Sequence, residues 1–122
     1  MWYRYCELFF WEQLTFFVMT IEDFNTIIAH NRLTLVEFFA TWCGPCRAMH
    51  LILDRLEERN PSAVTLFRFD VDNAENVDLT ERYNIVSVPT MMLFRGGKRL
   101  WRESGVLTVE TLERVIERFK VK

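Results

Sequence analysis

Cys43 and Cys46 are separated by Gly44-Pro45 and preceded by Trp42, and two thiols at that spacing can meet across a single helical turn. An apolar run, LTLVEFFA at 33–40, leads directly into Thr41-Trp42-Cys43-Gly44-Pro45-Cys46, and a helical pattern begins at or within that motif. A cysteine at a helix start faces backbone N–H groups that lack intrahelical partners and the positive end of the helix dipole, and both stabilise a thiolate. Cys43 is therefore expected to ionise more readily than a free thiol. Because the thiolate is the attacking species in disulfide exchange, the motif predicts a two-step reaction. Cys43 attacks a substrate disulfide and forms a mixed disulfide; Cys46, more buried along the helix, then attacks Cys43 and releases the reduced substrate.

The second step requires Cys46 to lose a proton. Glu37 lies in the strand just before the motif, where desolvation is expected to raise its pKa and fit it to accept that proton, directly or through a water. The alternative is that Glu37 turns to the sheet edge or pairs with Arg68. The two cysteines could also form half of a zinc site, but tetrahedral closure needs two more ligands, and the soft or imidazole candidates are Cys6, His30 and His50. His50 falls one helical turn past Cys46, with Asp54 at the same spacing beyond it, and reads as a solvated surface histidine. No metal and no bound cofactor are expected; the redox group is the Cys43–Cys46 pair itself.

The elements that must hold these residues can be followed along the chain. Leu14 to Met19 reads as a short strand, and Thr20 with Asp23 as a capping box for a helix with Phe24, Ile27 and Ile28 on one face. The 33–40 run is nearly continuous in apolar residues, as in a strand covered on both faces, and Glu37 alone interrupts it. Met49, Ile52, Leu53 and Leu56 continue the helix that starts at the cysteines, and Asn60-Pro61 closes it. VTLFRFDVD at 64–72 is the next strand, followed by a weaker helix ending near Tyr83. SVPTMMLFRGGKRLWRES gives two strands joined by a hairpin at Gly96-Gly97. Leu112, Val115, Ile116 and Phe119 mark a final amphipathic helix capped by Thr108. Met91 and Met92 are expected to fill core, and Trp101, alternating with charged residues on a hairpin strand, to pack on one face. The alternation predicts an α/β architecture with a mixed central sheet flanked by helices.

With 122 residues, half of them apolar, the chain suits one domain with one core. A net charge of -2 from intermixed acidic and basic residues supplies no electropositive field for nucleic acid and no polybasic segment for a lipid surface. Three cysteines are too few for a secreted disulfide framework, and Cys6 is expected to be a free thiol, with a regulatory or intermolecular disulfide as the lesser reading. Residues 1–13, MWYRYCELFFWEQ, form an aromatic segment without a clear period, broken by Arg4, Glu7 and Glu12, so they lack the pattern of a signal peptide. They are expected to be a non-catalytic extension of unknown role, with residues 14–122 as the domain. The alternatives are an element packed on that domain, an oligomer contact, or sequence upstream of a start at Met19. A monomeric, cytoplasmic protein is the expectation.

VEFFATWCGPC, followed by SVPT and the Gly-Gly hairpin, resembles the thioredoxin family over roughly residues 14–120. The resemblance implies a thioredoxin-like three-layer fold. It also implies a cis Val88–Pro89 bond facing the cysteines, where the residues alone would read Pro89 as an ordinary trans proline at a strand start. Trp42, Gly44, Pro45, Ser87, Val88, Pro89 and Gly105 would then form the substrate-facing surface, with the Val88 backbone available to an extended substrate segment. Arg68 occupies a position where the family often carries a lysine near the buried carboxylate, and would hold Glu37 ionised or oriented. Glu37 stands in place of the usual aspartate, as in disulfide isomerase domains; Phe39 replaces a frequent tryptophan and Leu51 a helix-kinking proline.

Gly-Pro between the cysteines goes in the family with a reducing role. The expected function is thus a protein-disulfide reductase, an electron carrier in cell redox homeostasis, recharged by a thioredoxin reductase. The competing expectations are a disulfide oxidase or isomerase, and a thioredoxin-fold interaction subunit that engages a partner through its N-terminal extension.

Overall fold

The computed structural model describes residues 20–120. The strand expected at Leu14–Met19, the extension at 1–13 and Cys6 lie outside the described residues.

Helix α1, Ile21–Ile28, starts at a Thr20 cap whose side chain accepts from the Asp23 backbone N–H, while Asp23 reciprocates to the Thr20 N–H. This capping box satisfies two donors that the first helical turn would leave without partners. Thr20→Ala is expected to cost about 1 kcal/mol of stability, read as a lower midpoint in urea unfolding. Strand β1, Thr34–Phe39, follows and leads into helix α2, Gly44–Arg59. Strand β2 spans Thr65–Asp70. The weaker helix expected next is two pieces, a 3-10 turn at Ala74–Asn76 and helix α3 at Val77–Arg82, because Asn73 caps the turn through its side chain before the α-helix begins. Strands β3, Thr90–Arg95, and β4, Lys98–Ser104, form the hairpin, and helix α4, Val109–Phe119, ends the described chain behind its Thr108 cap.

The sheet order is β2-β1-β3-β4, with β1 and β2 parallel and the other neighbours antiparallel. Side chains alternate across it. Val36, Phe38, Phe69, Met92 and Phe94 pack against Phe24, Ile27 and Ile28 of α1 and Leu79 of α3. Leu35, Leu66, Met91 and Leu93 pack instead with Met49, Leu53 and Leu56 of α2 and with Leu112 and Ile116 of α4. Two helices thus cover each face, giving three layers, and β1 is buried on both sides. Met91 and Met92 are fully buried, one in each core.

This alternation decides where the acid goes. Glu37 shares its face with Leu35 and pairs in register with Arg68, which shares its face with Leu66. Both therefore point into the layer occupied by α2.

The hairpin turns at Gly96 and Gly97, both with positive φ, which a side chain would resist. Their N–H groups donate to the His30 and Ile28 carbonyls at 2.7 and 2.9 Å, so the turn also caps the end of α1. Strand β4 lies at one edge of the sheet. Leu51 projects from α2 and is exposed, and the helix runs unbroken through this position from Gly44 to Arg59.

Candidate active site

Parallel pairing sends the C-terminal ends of β1 and β2 to the same edge, and the cysteine motif follows β1 there. Cys43 is the N-cap of α2, and its Sγ accepts the Cys46 N–H at 3.1 Å. Pro45 sits in the first turn, where a backbone N–H would have no intrahelical acceptor, and its fixed φ suits helix entry. The helix start therefore aims its dipole and one explicit donor at the Cys43 sulfur. Cys43 and Cys46 are joined in a disulfide with Cα atoms 5.2 Å apart.

The facing wall is the segment before β3. Val88–Pro89 is cis, and the Val88 carbonyl oxygen lies 3.7 Å from Cys43 Sγ. Buried Thr90 braces this segment, donating from Oγ1 to the Ser87 carbonyl at 2.7 Å and lying 2.7 Å from Ser104 Oγ. Gly105, at φ 95°, donates its N–H to the Pro89 carbonyl at 2.9 Å, so that glycine's freedom of φ serves the wall directly. A groove of about 660 Å³ runs along the site, lined among others by Trp42, Cys43, Pro45, Val86 and Val88. Cys46 is not part of that lining. Trp42 is 70% exposed, and its indole N–H donates to Asp72 Oδ2 at 2.7 Å. Asp72 was not singled out from the sequence; its signal is its place just past the end of β2, at the edge where the motif emerges.

A charged cluster lies where β1, β2 and α2 meet. Glu37 is completely buried, with Oε1 at 3.6 Å from Arg68 Nε and 3.4 Å from His50 Nε2. Arg68 also donates from Nη2 to Asp54 Oδ1 at 3.2 Å and to the His50 carbonyl at 3.3 Å. Burial pushes the Glu37 carboxyl up to about 8, against the pull of Arg68 and with the push of Asp54. The Arg68 guanidinium pulls the carboxyl back toward ionisation, but by less than desolvation raises it.

The surface placement expected for His50 is corrected. Its side chain is 25% exposed, its ring packs edge-to-face on Phe39 at 4.8 Å, and it contacts Glu37. Burial lowers its pKa, Arg68 lowers it further, and Asp54 opposes them. The spacing from Cys46 placed both residues on one helix face; what it left out was that this face lies over Glu37. His30 is exposed beyond α1, far along the chain from the cysteines. Among the described residues, no group of three or more His, Cys, Asp or Glu side chains gathers as a metal site.

Residues 15–118 match the thioredoxin family model. The thioredoxin of Alicyclobacillus acidocaldarius is 38% identical over 97 residues, covering 78% of this chain and 90% of that protein. The chain belongs to the thioredoxin family. Chloroplastic thioredoxin M4 of Arabidopsis thaliana is 42% identical over 88 residues, 72% of this chain and 45% of that longer protein. Among solved structures, Fasciola hepatica thioredoxin superposes with a TM-score of 0.73 at 32% identity, covering 84% of this chain and 97% of that one.

Membership of the thioredoxin family and the redox pair at the head of α2 make the protein a thiol–disulfide oxidoreductase. Thioredoxins work through their own redox-active cysteine pair, the place that Cys43 and Cys46 occupy here.

Proposed function

We propose that the protein reduces disulfides in protein substrates, with Cys43 as nucleophile and Cys46 as resolving thiol. The observation that carries this reading is the asymmetry of the pair: both sulfurs are buried, but Cys43 receives the helix-start N–H and lines the groove, while Cys46 lies outside that lining. A thiolate stabilised at Cys43 and facing the groove attacks first. Glu37 then takes the proton of Cys46, Arg68 orients Glu37, and the second attack releases the substrate. Trp42, Gly44, Pro45 and Ser87 flank the substrate segment, the Val88 backbone pairs with it, and Pro89 and Gly105 hold that wall in place.

The Gly-Pro dipeptide supports the reductive direction, and a reductase recharges the pair. Mycobacterium leprae has a bifunctional thioredoxin reductase/thioredoxin, 35% identical over 82 residues, which favours such a partner here. A role as electron carrier in cell redox homeostasis follows, in a reducing compartment such as the cytoplasm; relatives include chloroplastic and mitochondrial forms. No helix among the described residues is long and apolar enough to cross a membrane. The aromatic segment 1–13 is proposed as a non-catalytic extension of a monomeric domain.

Equilibration of the Cys43/Cys46 couple with glutathione tests the direction. A reductant stays oxidised against a large excess of reduced glutathione; a couple that is already reduced at the glutathione poise of an oxidising compartment would overturn the reading in favour of an oxidase or isomerase.

A further inference from the structure

His50 lies four residues beyond Cys46 on α2, so both side chains leave the helix on one face at neighbouring positions. Cys46 is almost wholly buried and Glu37 completely so, whereas the His50 side chain reaches water. Two groups touch the Glu37 carboxyl in the ion-pair geometry: Arg68 at 3.6 Å and His50 at 3.4 Å. An arginine keeps its proton at any working pH and can carry none onward. Asp54 is half exposed but meets Arg68, the guanidinium that stands beside Glu37. Phe39 packs both on the Cys43–Cys46 cluster and on the His50 ring, fixing the imidazole between the buried carboxyl and solvent.

We propose that His50 is a relay residue for this exchange reaction: it takes from Glu37 the proton that Glu37 removes from Cys46 and delivers it to water. The proposal rests on the reading of Glu37 as proton acceptor for Cys46.

In the step concerned, Glu37 acts in its ionised form, whose share grows as pH rises toward about 8, and the Cys46 S–H bond breaks toward that carboxylate. The electron pair left on Cys46 forms the bond to Cys43 Sγ as the mixed disulfide breaks, and the leaving electron pair departs on the substrate sulfur, which takes a proton from solvent. The cysteine pair is oxidised by two electrons and the substrate disulfide is reduced by two. Glu37 is left protonated and must be emptied before it can act again. His50 Nε2 accepts that proton, and the imidazolium releases one to solvent. The charged groups facing this pair are Arg68 from β2, which opposes an imidazolium, and Asp54 from α2, which favours it. Burial disfavours charge on both Glu37 and His50, so the proton rests on Glu37 and the imidazolium is a short-lived carrier that hands it on to water.

The test is single-turnover reduction of a disulfide peptide by the pre-reduced protein, with the mixed disulfide followed by acid quench and mass spectrometry across pH 6–9. His50→Gln is expected to slow decay of the mixed disulfide about tenfold while slowing its formation much less, and to shift the pH midpoint of the decay. In a Glu37→Gln background the same change is expected to add no further slowing, since the relay has nothing to empty. Millimolar imidazole is expected to restore part of the rate to His50→Ala. Equal slowing of both steps, an unshifted pH profile, or undiminished slowing in the Glu37→Gln background would overturn the relay. If Glu37→Gln alone leaves decay unchanged, the underlying reading of Glu37 fails, and that outcome is separately visible.

Discussion

With Cys46 replaced by serine, the protein is expected to capture its substrate and keep it. Cys43 attacks as before, but no second thiol is present to break the mixed disulfide, so insulin reduction falls to the uncatalysed rate while an adduct of one protein and one substrate chain accumulates. Cys43→Ser is expected to abolish turnover without an adduct, because the Cys46 sulfur lies outside the groove lining and does not receive the helix-start N–H. Mass spectrometry under non-reducing conditions distinguishes the two variants. An adduct formed by Cys43→Ser and not by Cys46→Ser would exchange the roles of the cysteines.

The second large effect concerns stability. Glu37 titrates at about 8 in the folded protein against 4.5 for the model carboxyl. Between those values the folded state binds more protons than the unfolded state, so stability falls as pH rises. The contribution of the neutral carboxyl is fully present below about 4.5 and is lost progressively up to about 8. At 1.36 kcal/mol per pKa unit the full loss is on the order of 5 kcal/mol, with about 3 kcal/mol already gone at neutral pH. Glu37→Gln keeps the shape and removes the titration. It is therefore expected to stabilise the protein by roughly 3–5 kcal/mol at pH 8 and to change little at pH 4. Urea unfolding of both proteins at the two pH values measures the difference; a gap that is the same at both would show that Glu37 is not titrating in this window. The same substitution is expected to slow the second step of exchange, in which the proposed function gives Glu37 the Cys46 proton.

Much of this arrangement is legible in local sequence. The unbroken apolar run around Glu37 reports a strand covered on both faces, and a lone acid within such a run has to be buried whichever face it takes. Gly96-Gly97 specifies a hairpin through backbone freedom alone, and Thr20 and Thr108 mark helix starts through side-chain oxygen chemistry. These signals act over a few residues. His50 escaped because its environment depends on which sheet face α2 covers, and that is set by packing between β1 and a helix rather than by any pattern within the helix. Asp72 escaped for a similar reason: its tie to Trp42 arises only once parallel pairing brings the ends of β1 and β2 together. Pro89 is the intermediate case, since its residue type alone favours trans and only the resemblance of its surroundings to a known family pointed to cis.

The outer strand β4 carries Lys98, Arg99, Arg102 and Glu103, and charges along an open strand discourage another chain from extending the sheet there. A protein whose work is to meet extended polypeptides would otherwise invite them at the wrong border. In the proposed function backbone recognition belongs to the short stretch at Val88, beside the reacting sulfur, and the charge on β4 keeps extended chains from docking along the edge that strand forms.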